Sequence, residues 1–180
     1  MRGLLVLMLL AMPFLQTAPA TNLPPPPTGF AWQEIPELKA ALLRPSGWFF
    51  QREETKGTLA YFITKESIAN GGEFQTGLTV NVFRHKKDNA VDSAKNFIDQ
   101  LAAKKHGEKW AKDAGPFKEF GCLTRDTDAT GTTVAQTLMV ANPKTNSLYL
   151  LIFESPEPNW DSAWKLGETI FDSLALDDET

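Results

Sequence analysis

The chain has 180 residues, and its 18 lysines and arginines against 22 aspartates and glutamates give a formal net charge of −4. This slight acidity, without an arginine cluster or a basic stripe, disfavours a role in binding nucleic acid. Cys122 is the single cysteine, which excludes an internal disulfide. We predict that it is a small buried strand residue rather than a reactive thiol.

The first twenty residues have the pattern of a secretory signal peptide. Arg2 precedes an apolar run over 4–15, and Ala-Pro-Ala at 18–20 places small residues at the −3 and −1 positions of a cleavage site. The run is short for a membrane span, which needs about 20 residues. We therefore predict a periplasmic or secreted protein, cleaved after Ala20 and with no later membrane span. An uncleaved N-terminal anchor is the alternative.

The rest of the chain has a usual size for one domain. Residues 21–35 are predicted to form a linker, because four consecutive prolines favour polyproline II and forbid helix. Recognition of these prolines by another protein is the alternative. A single domain is predicted over 36–177, followed by an acidic tail at 178–180.

Strand and turn signals alternate in the first half of the domain. A PSGW turn at 45–48 introduces the first of three strands, and a hairpin turn, ETKG, separates the first two. The predicted strands are WFFQR from 48, TLAYFIT from 58 and LTVNVFR from 78. In the third, Leu78, Val80 and Val82 share one face.

A helix is predicted after the third strand, because apolar residues recur there at spacings of three and four. These residues are Val91, Ala94, Ile98, Leu101 and Ala102. Asp88 or Asn89 is the expected N-cap, and Gly107 is expected to take the left-handed conformation at the C-terminal end.

The polar cluster at the strand–helix junction is the strongest candidate for an active site. It contains Arg84, His85, Lys86, Lys87 and Asp88. His85 has basic neighbours and no acid or second ligand close by in the sequence. We predict that the cluster builds the junction and holds neither a catalytic residue nor a metal ligand. A metal or ligand site that includes His85 is the alternative.

The second half is predicted to form a three-stranded meander and a final helix. The strands are CLTRD from 122, TTVAQTLMVA from 132 and SLYLLIFE from 147. The last strand is apolar on both faces and needs a cover on each. The helix has an apolar stripe of Trp160, Ala163, Trp164, Gly167, Ile170, Phe171 and Leu174. The fold class is therefore α+β, a mainly antiparallel sheet flanked by helices in an αβα sandwich.

This order of elements resembles the PsbP-like superfamily, which includes bacterial DcrB-type envelope proteins and a small nuclear protein that binds the GTPase Ran. The resemblance rests on PSGW at 45–48, the GLTVNV strand with its helix, the meander, and FDSL at 171–174. It covers about 39–176. It implies an antiparallel sheet between helical layers, and binding or assembly roles rather than catalysis.

No catalytic, cofactor-binding or metal-binding residue is predicted. Gly72 and Gly77 have the spacing of a phosphate loop, but Leu78 stands where the lysine belongs and a strand follows. Asp126 and Asp128 flank a turn, where short acidic side chains commonly bond their own backbone.

We predict a non-catalytic binding or accessory protein of the cell envelope, with another envelope protein as partner and no cofactor. One alternative is a small-ligand carrier or hydrolase with a loop-built pocket. A cleft lined by Arg84, His85 and the Gly71-Gly72 loop would indicate that alternative. A lumenal accessory subunit of photosystem II is a minor alternative.

Overall fold

The computed structural model describes residues 23–55, 58–84, 89–177 and 179. Within these residues the chain forms ten strands, two α-helices and three short 3-10 turns. In chain order the helices and strands are β1 (Phe30–Ile35), β2 (Ala40–Pro45), β3 (Phe49–Thr55), β4 (Thr58–Thr64), β5 (Gly77–Arg84), α1 (Ala90–Lys105), β6 (Glu108–Ala114), β7 (Phe117–Asp128), β8 (Gly131–Asn142), β9 (Ser147–Pro156), α2 (Trp160–Asp172) and β10 (Ala175–Leu176).

Seven strands form one antiparallel sheet in the order β3-β4-β5-β9-β8-β7-β6. Strands β3 to β5 are joined as successive hairpins, and β6 to β9 form a meander whose last strand returns to pair with β5. A second, three-stranded antiparallel sheet has the order β1-β2-β10. The predicted α+β class with a mainly antiparallel sheet is confirmed.

The two faces of β9 belong to two separate cores. This agrees with the prediction that a strand apolar on both faces needs a cover on each. Leu148 and Leu150 pack in a smaller core beneath α1, together with Ile98. Tyr149 and Phe153 lie in the larger core beneath α2 and the three-stranded sheet. Because β9 is the central strand of the large sheet, its side chains are buried on both sides.

The first strand corrects one predicted boundary. Phe30–Ile35, within the range assigned to the linker, forms β1 and pairs with β2 over six residues. The indole N–H of Trp32 also donates to the carbonyl of Pro24 at 2.7 Å, which ties the proline run to the strand. The strand was not predicted because the preceding proline run indicated a linker. Its own residues are mostly half-buried and show little apolar alternation.

Strand β6 is a second difference. It was not predicted because EKWAKDA has no apolar face, and six of its seven residues are exposed. Backbone pairing with β7 forms it as the edge of the sheet. Strand β7 itself starts at Phe117, earlier than the predicted start at residue 122.

The C-terminal end of α1 also differs from the prediction. His106, and not Gly107, takes the left-handed conformation, with φ of 52°, and its N–H donates to the carbonyl of Ala102. Gly107 is instead required by packing against β7. A Cβ at that position would lie 2.6 Å from the Cys122 Sγ and 2.7 Å from the carbonyl oxygen of Leu123.

Candidate functional site

The strand–helix junction is built partly as predicted. The side chain of Asn89 caps α1 by accepting hydrogen bonds from the N–H groups of Val91, at 2.9 Å, and Asp92, at 3.2 Å. The N–H of Ala90 donates to the side-chain oxygen of Asn146 at 2.7 Å, which fixes the helix start to the β8–β9 turn. The side chain of Arg84 and residues 85–88 lie outside the described part of the structure. The role predicted for His85 therefore stays a prediction.

Cys122 is fully buried beneath α1, as predicted for a small strand residue. Burial raises the pKa of its thiol, which disfavours the reactive thiolate at neutral pH. Among the described residues there is no group of three histidine, cysteine, aspartate or glutamate side chains placed to hold a metal ion. None of the helices in the described ranges is both long enough and apolar enough to cross a membrane.

The two aspartates near the β7–β8 turn have structural contacts. The Asp128 carboxylate accepts hydrogen bonds from the hydroxyl of Thr130 at 2.6 Å and from its N–H at 2.7 Å. These bonds lower the Asp128 pKa. Asp126 forms an ion pair with Lys105 at 2.7 Å. The predicted backbone bonding therefore holds for Asp128, whereas Asp126 joins β7 to α1.

The Gly71-Gly72 loop contributes to an open cleft of about 430 Å³. Its lining residues are Glu53, Phe62, Ile68, Gly71, Gly72, Glu73 and Phe74. The loop is held in place by Glu66, whose carboxylate accepts from the N–H groups of Gln75 and Thr76, each at 3.1 Å. The cleft thus combines two carboxylates with two phenylalanine rings.

The cleft opens onto a half of the sheet that α1 leaves uncovered. Helix α1 packs against β6 to β9. On the same side of the sheet, the strand residues Phe49, Phe62 and Phe83 project from β3, β4 and β5, as the strand register shows. Phe49 is 47% exposed and Phe83 is 37% exposed. The ring of Phe74 packs edge-on against Phe62, with centroids 6.2 Å apart.

A fifth phenylalanine lies on the flank of α1 that is turned towards this side of the sheet. Asp99 forms an ion pair with Lys109 on β6, so the flank of α1 that carries Asp99 faces the edge of the sheet. Phe97 is two residues away, about 200° around a helix of 3.6 residues per turn, and lies on the flank away from β6. It is 41% exposed. We call Phe49, Phe62, Phe74, Phe83 and Phe97 together the open face.

The open face was not identified from the sequence. Alternation along the strand puts Phe83 on the face opposite Leu78, and helical periodicity puts Phe97 on the flank of α1, but neither pattern indicates an interaction role. The available signal was the number of predicted strands, since one helix cannot cover a sheet of six strands on one side. Which strands stay uncovered depends on where α1 crosses the sheet, and the local sequence does not contain that information.

Comparison with solved structures identifies the fold. Cyanobacterial PsbP (CyanoP) from Synechocystis sp. PCC 6803 matches with a TM-score of 0.54 and 13% sequence identity, over 83% of this chain and 93% of that chain. The Saccharomyces cerevisiae Ran-binding protein Mog1p matches with a TM-score of 0.52 and 12% identity, over 82% of this chain and 95% of that chain.

LpqN, which is involved in cell envelope biogenesis of Mycobacterium tuberculosis, matches with a TM-score of 0.52 and 9% identity, over 77% of this chain and 83% of that chain. No family model and no curated protein matches the sequence. At these identities the similarity shows the fold alone, and that fold is PsbP-like, as the resemblance in the sequence implied.

Proposed function

We propose that this chain, which has the PsbP-like fold, is an exported, non-catalytic binding or accessory protein of the cell envelope. The observation that carries the proposal is the open face, whose five partly exposed phenylalanines lie on β3, β4, β5, the loop before β5 and one flank of α1. Several exposed aromatic side chains on one face of a soluble protein are typical of an interaction site. Aromatic side chains are also enriched at the centres of protein–protein interfaces.

The partner we propose is another protein of the envelope. Export by cleavage of residues 1–20 would place the domain in the periplasm or the medium. Two proteins of similar fold support this proposal. Mog1p is a Ran-binding protein, and LpqN is involved in cell envelope biogenesis. The acidic net charge of −4 supports a partner other than nucleic acid.

Site-specific photo-crosslinking in the cells that make the protein tests this proposal. Benzoylphenylalanine replaces Phe49, Phe83 or Phe97 one at a time, and Glu34 serves as the control position. Glu34 is exposed on β1, on the other side of the large sheet. We expect the three open-face positions to capture one and the same envelope protein and the control position not to capture it. Equal capture from Glu34, or no capture from any open-face position, would contradict the proposal.

The cleft of about 430 Å³ favours a second candidate, a small-ligand carrier. Its size lies within the roughly 300–1,000 Å³ that is usual for ligand pockets, and Glu53 and Glu73 supply polar groups. Native mass spectrometry of protein isolated from its own cells distinguishes this candidate. A carrier would show an added small mass that Phe74→Ala removes and Phe49→Ala, outside the cleft, retains.

A further inference from the structure

An aromatic groove lies on the opposite side of the large sheet from the open face, between α2 and the β6 edge. Two adjoining cavities form it, of about 150 and 200 Å³. Both are smaller than the roughly 300–1,000 Å³ pockets that enclose drug-sized ligands. The space therefore fits one or two side chains rather than a cofactor.

Trp110 forms one wall of the groove. Its indole lies flat on β7 because the opposing residue is Gly121, where a Cβ would come within 2.1 Å of the ring. The indole nevertheless remains 39% exposed, so it has an apolar surface that the described fold leaves uncovered. Trp164 on α2 stands across from it, and Leu138 lies between them.

The groove already holds one cation. The ammonium of Lys112 lies 5.6 Å from the centroid of the Trp110 ring and forms an ion pair with Glu119 at 3.1 Å. The Glu119 side chain is only 15% exposed. An aromatic face next to a shielded carboxylate is a favourable environment for a positive charge.

Two further carboxylates line the groove from α2. Glu168 and Asp172 are spaced i, i+4 on the same side of the helix as Trp164, and among the described residues neither side chain makes an ion pair or a hydrogen bond. With Glu119 they give three negative charges against the one positive charge of Lys112, a local net charge of −2.

These two carboxylates work against the helix that carries them. Like charges at i, i+4 destabilise a helix, and negative charge near its C-terminus opposes the helix dipole. Helix α2 has no basic residue in its last turn, whereas α1 has Lys104 and Lys105 there. Local rules of this kind are broken mostly at functional sites.

We propose that the groove binds a lysine or arginine side chain presented by a protein segment, with the cation at Glu168 and Asp172 and the aliphatic stem against Trp110. The charge complementarity and the size of the groove select this occupant. The site is separate from the open face, so the failure of either proposal leaves the other standing. A chain with both sites would hold two protein surfaces together across one sheet.

Titration of the purified full chain with small probes tests the groove. The probes are a blocked Ala-Leu-Arg-Ala peptide, its Ala-Leu-Gln-Ala counterpart and spermidine, and the readout is the indole N–H signals of Trp110 and Trp164 in NMR spectra. We expect the arginine peptide to shift both signals. The glutamine peptide should bind about five- to tenfold more weakly, which is the effect of one or two charge pairs with the exposed carboxylates of Glu168 and Asp172.

The groove variant is Glu168→Gln with Asp172→Asn, and the control variant is Glu34→Gln with Asp161→Asn, which removes the same charge elsewhere. The groove variant should lose about five- to tenfold in affinity for the arginine peptide while the control stays unchanged. Its Tm should rise, because the like-charge pair is gone, so unfolding cannot explain the loss. Equal binding of the glutamine peptide, full affinity in the groove variant, or spermidine binding as tightly as the peptide would overturn the proposal.

Discussion

At the scale of single residues, Glu154 is an unusual carboxylate. It lies on the α1 side of β9 and is half-buried, and among the described residues no hydrogen bond or ion pair reaches it. Burial raises its pKa because the ionised form loses hydration. The ionised side chain therefore costs the fold stability at neutral pH.

We predict that Glu154→Gln stabilises the protein at pH 7. A raised pKa means that the folded state binds more protons than the unfolded state above the unfolded pKa, about 4.3, so stability falls as pH rises through that window. The gain should be present at pH 7 and vanish at pH 3, where the carboxyl is protonated in both states. Urea denaturation at both pH values measures it, with the exposed Glu108→Gln as control. A loss of stability at pH 7 would show that the carboxylate has a favourable contact.

Local rules predicted some residues correctly and missed others for identifiable reasons. Asn89 was one of two candidates for the N-cap, and the structure shows it capping α1. The left-handed residue was predicted one position too late, at Gly107. This glycine is required instead by the close approach of β7, a contact between residues distant in sequence. Phe49 was predicted only as part of a strand, since its exposure depends on which strands α1 covers.

At the scale of elements, α2 is anchored by a connected set of aromatic rings. Trp160 stacks on Trp164 with centroids 5.3 Å apart, and both meet Phe153 edge-on, at 6.1 and 5.8 Å. A Cβ on Gly167 would come within 2.9 Å of the Phe153 ring, so helix and sheet approach each other closely at this glycine. Trp160 is buried, whereas Trp164 is half-buried.

We predict that the two tryptophans differ in their contribution to stability. Trp160→Ala should lower the free energy of unfolding by about 3–5 kcal/mol, since it leaves a large cavity in the main core. Trp164→Ala should cost less, because part of its ring already faces water along the groove. Urea denaturation of both variants gives the comparison. A loss from Trp160→Ala below about 0.5 kcal/mol would mean that the α2 stripe is not a core anchor.

The edge strand β6 shows why apolar patterns in the sequence do not predict every strand. Its seven residues pair with β7 along their whole length, and Lys109 joins Asp99 on α1. Lys109 and then Lys95 lower the Asp99 pKa to about 2, so this surface contact is ionised at ordinary pH. Backbone pairing, a charged contact to α1 and the packing of Trp110 on Gly121 hold the strand, and none of these produces apolar periodicity in the sequence.

At the scale of the whole molecule, the predicted export decides in which compartment the protein is found. The N-terminal pattern predicts cleavage after Ala20, so the mature chain should begin at Thr21. Intact mass spectrometry of protein recovered from the periplasm or the medium measures the start. The same chain carrying Ala18→Arg is the control, because a large charged residue at the −3 position should block cleavage. Protein that still begins at Met1 and sediments with membranes would contradict export with cleavage.

Local patterns along the chain were sufficient to predict the fold class. Strands with alternating or doubly apolar faces, separated by turn signals, and two helices with apolar stripes define an antiparallel sheet with a cover on each side. These patterns are local because burial of a strand or helix face repeats with the period of that element. The similarity to PsbP-like structures confirms the outcome.

Tertiary packing alone determines where the surfaces able to bind a partner lie. The local sequence pattern does not contain this information. The open face exists because one helix covers four of seven strands, and the groove exists because α2 stops short of β6. Both depend on the placement of helices over a sheet, which is set by contacts between residues far apart in the chain. A phenylalanine on an uncovered strand and one on a covered strand have the same local pattern, so exposure cannot be predicted from that pattern.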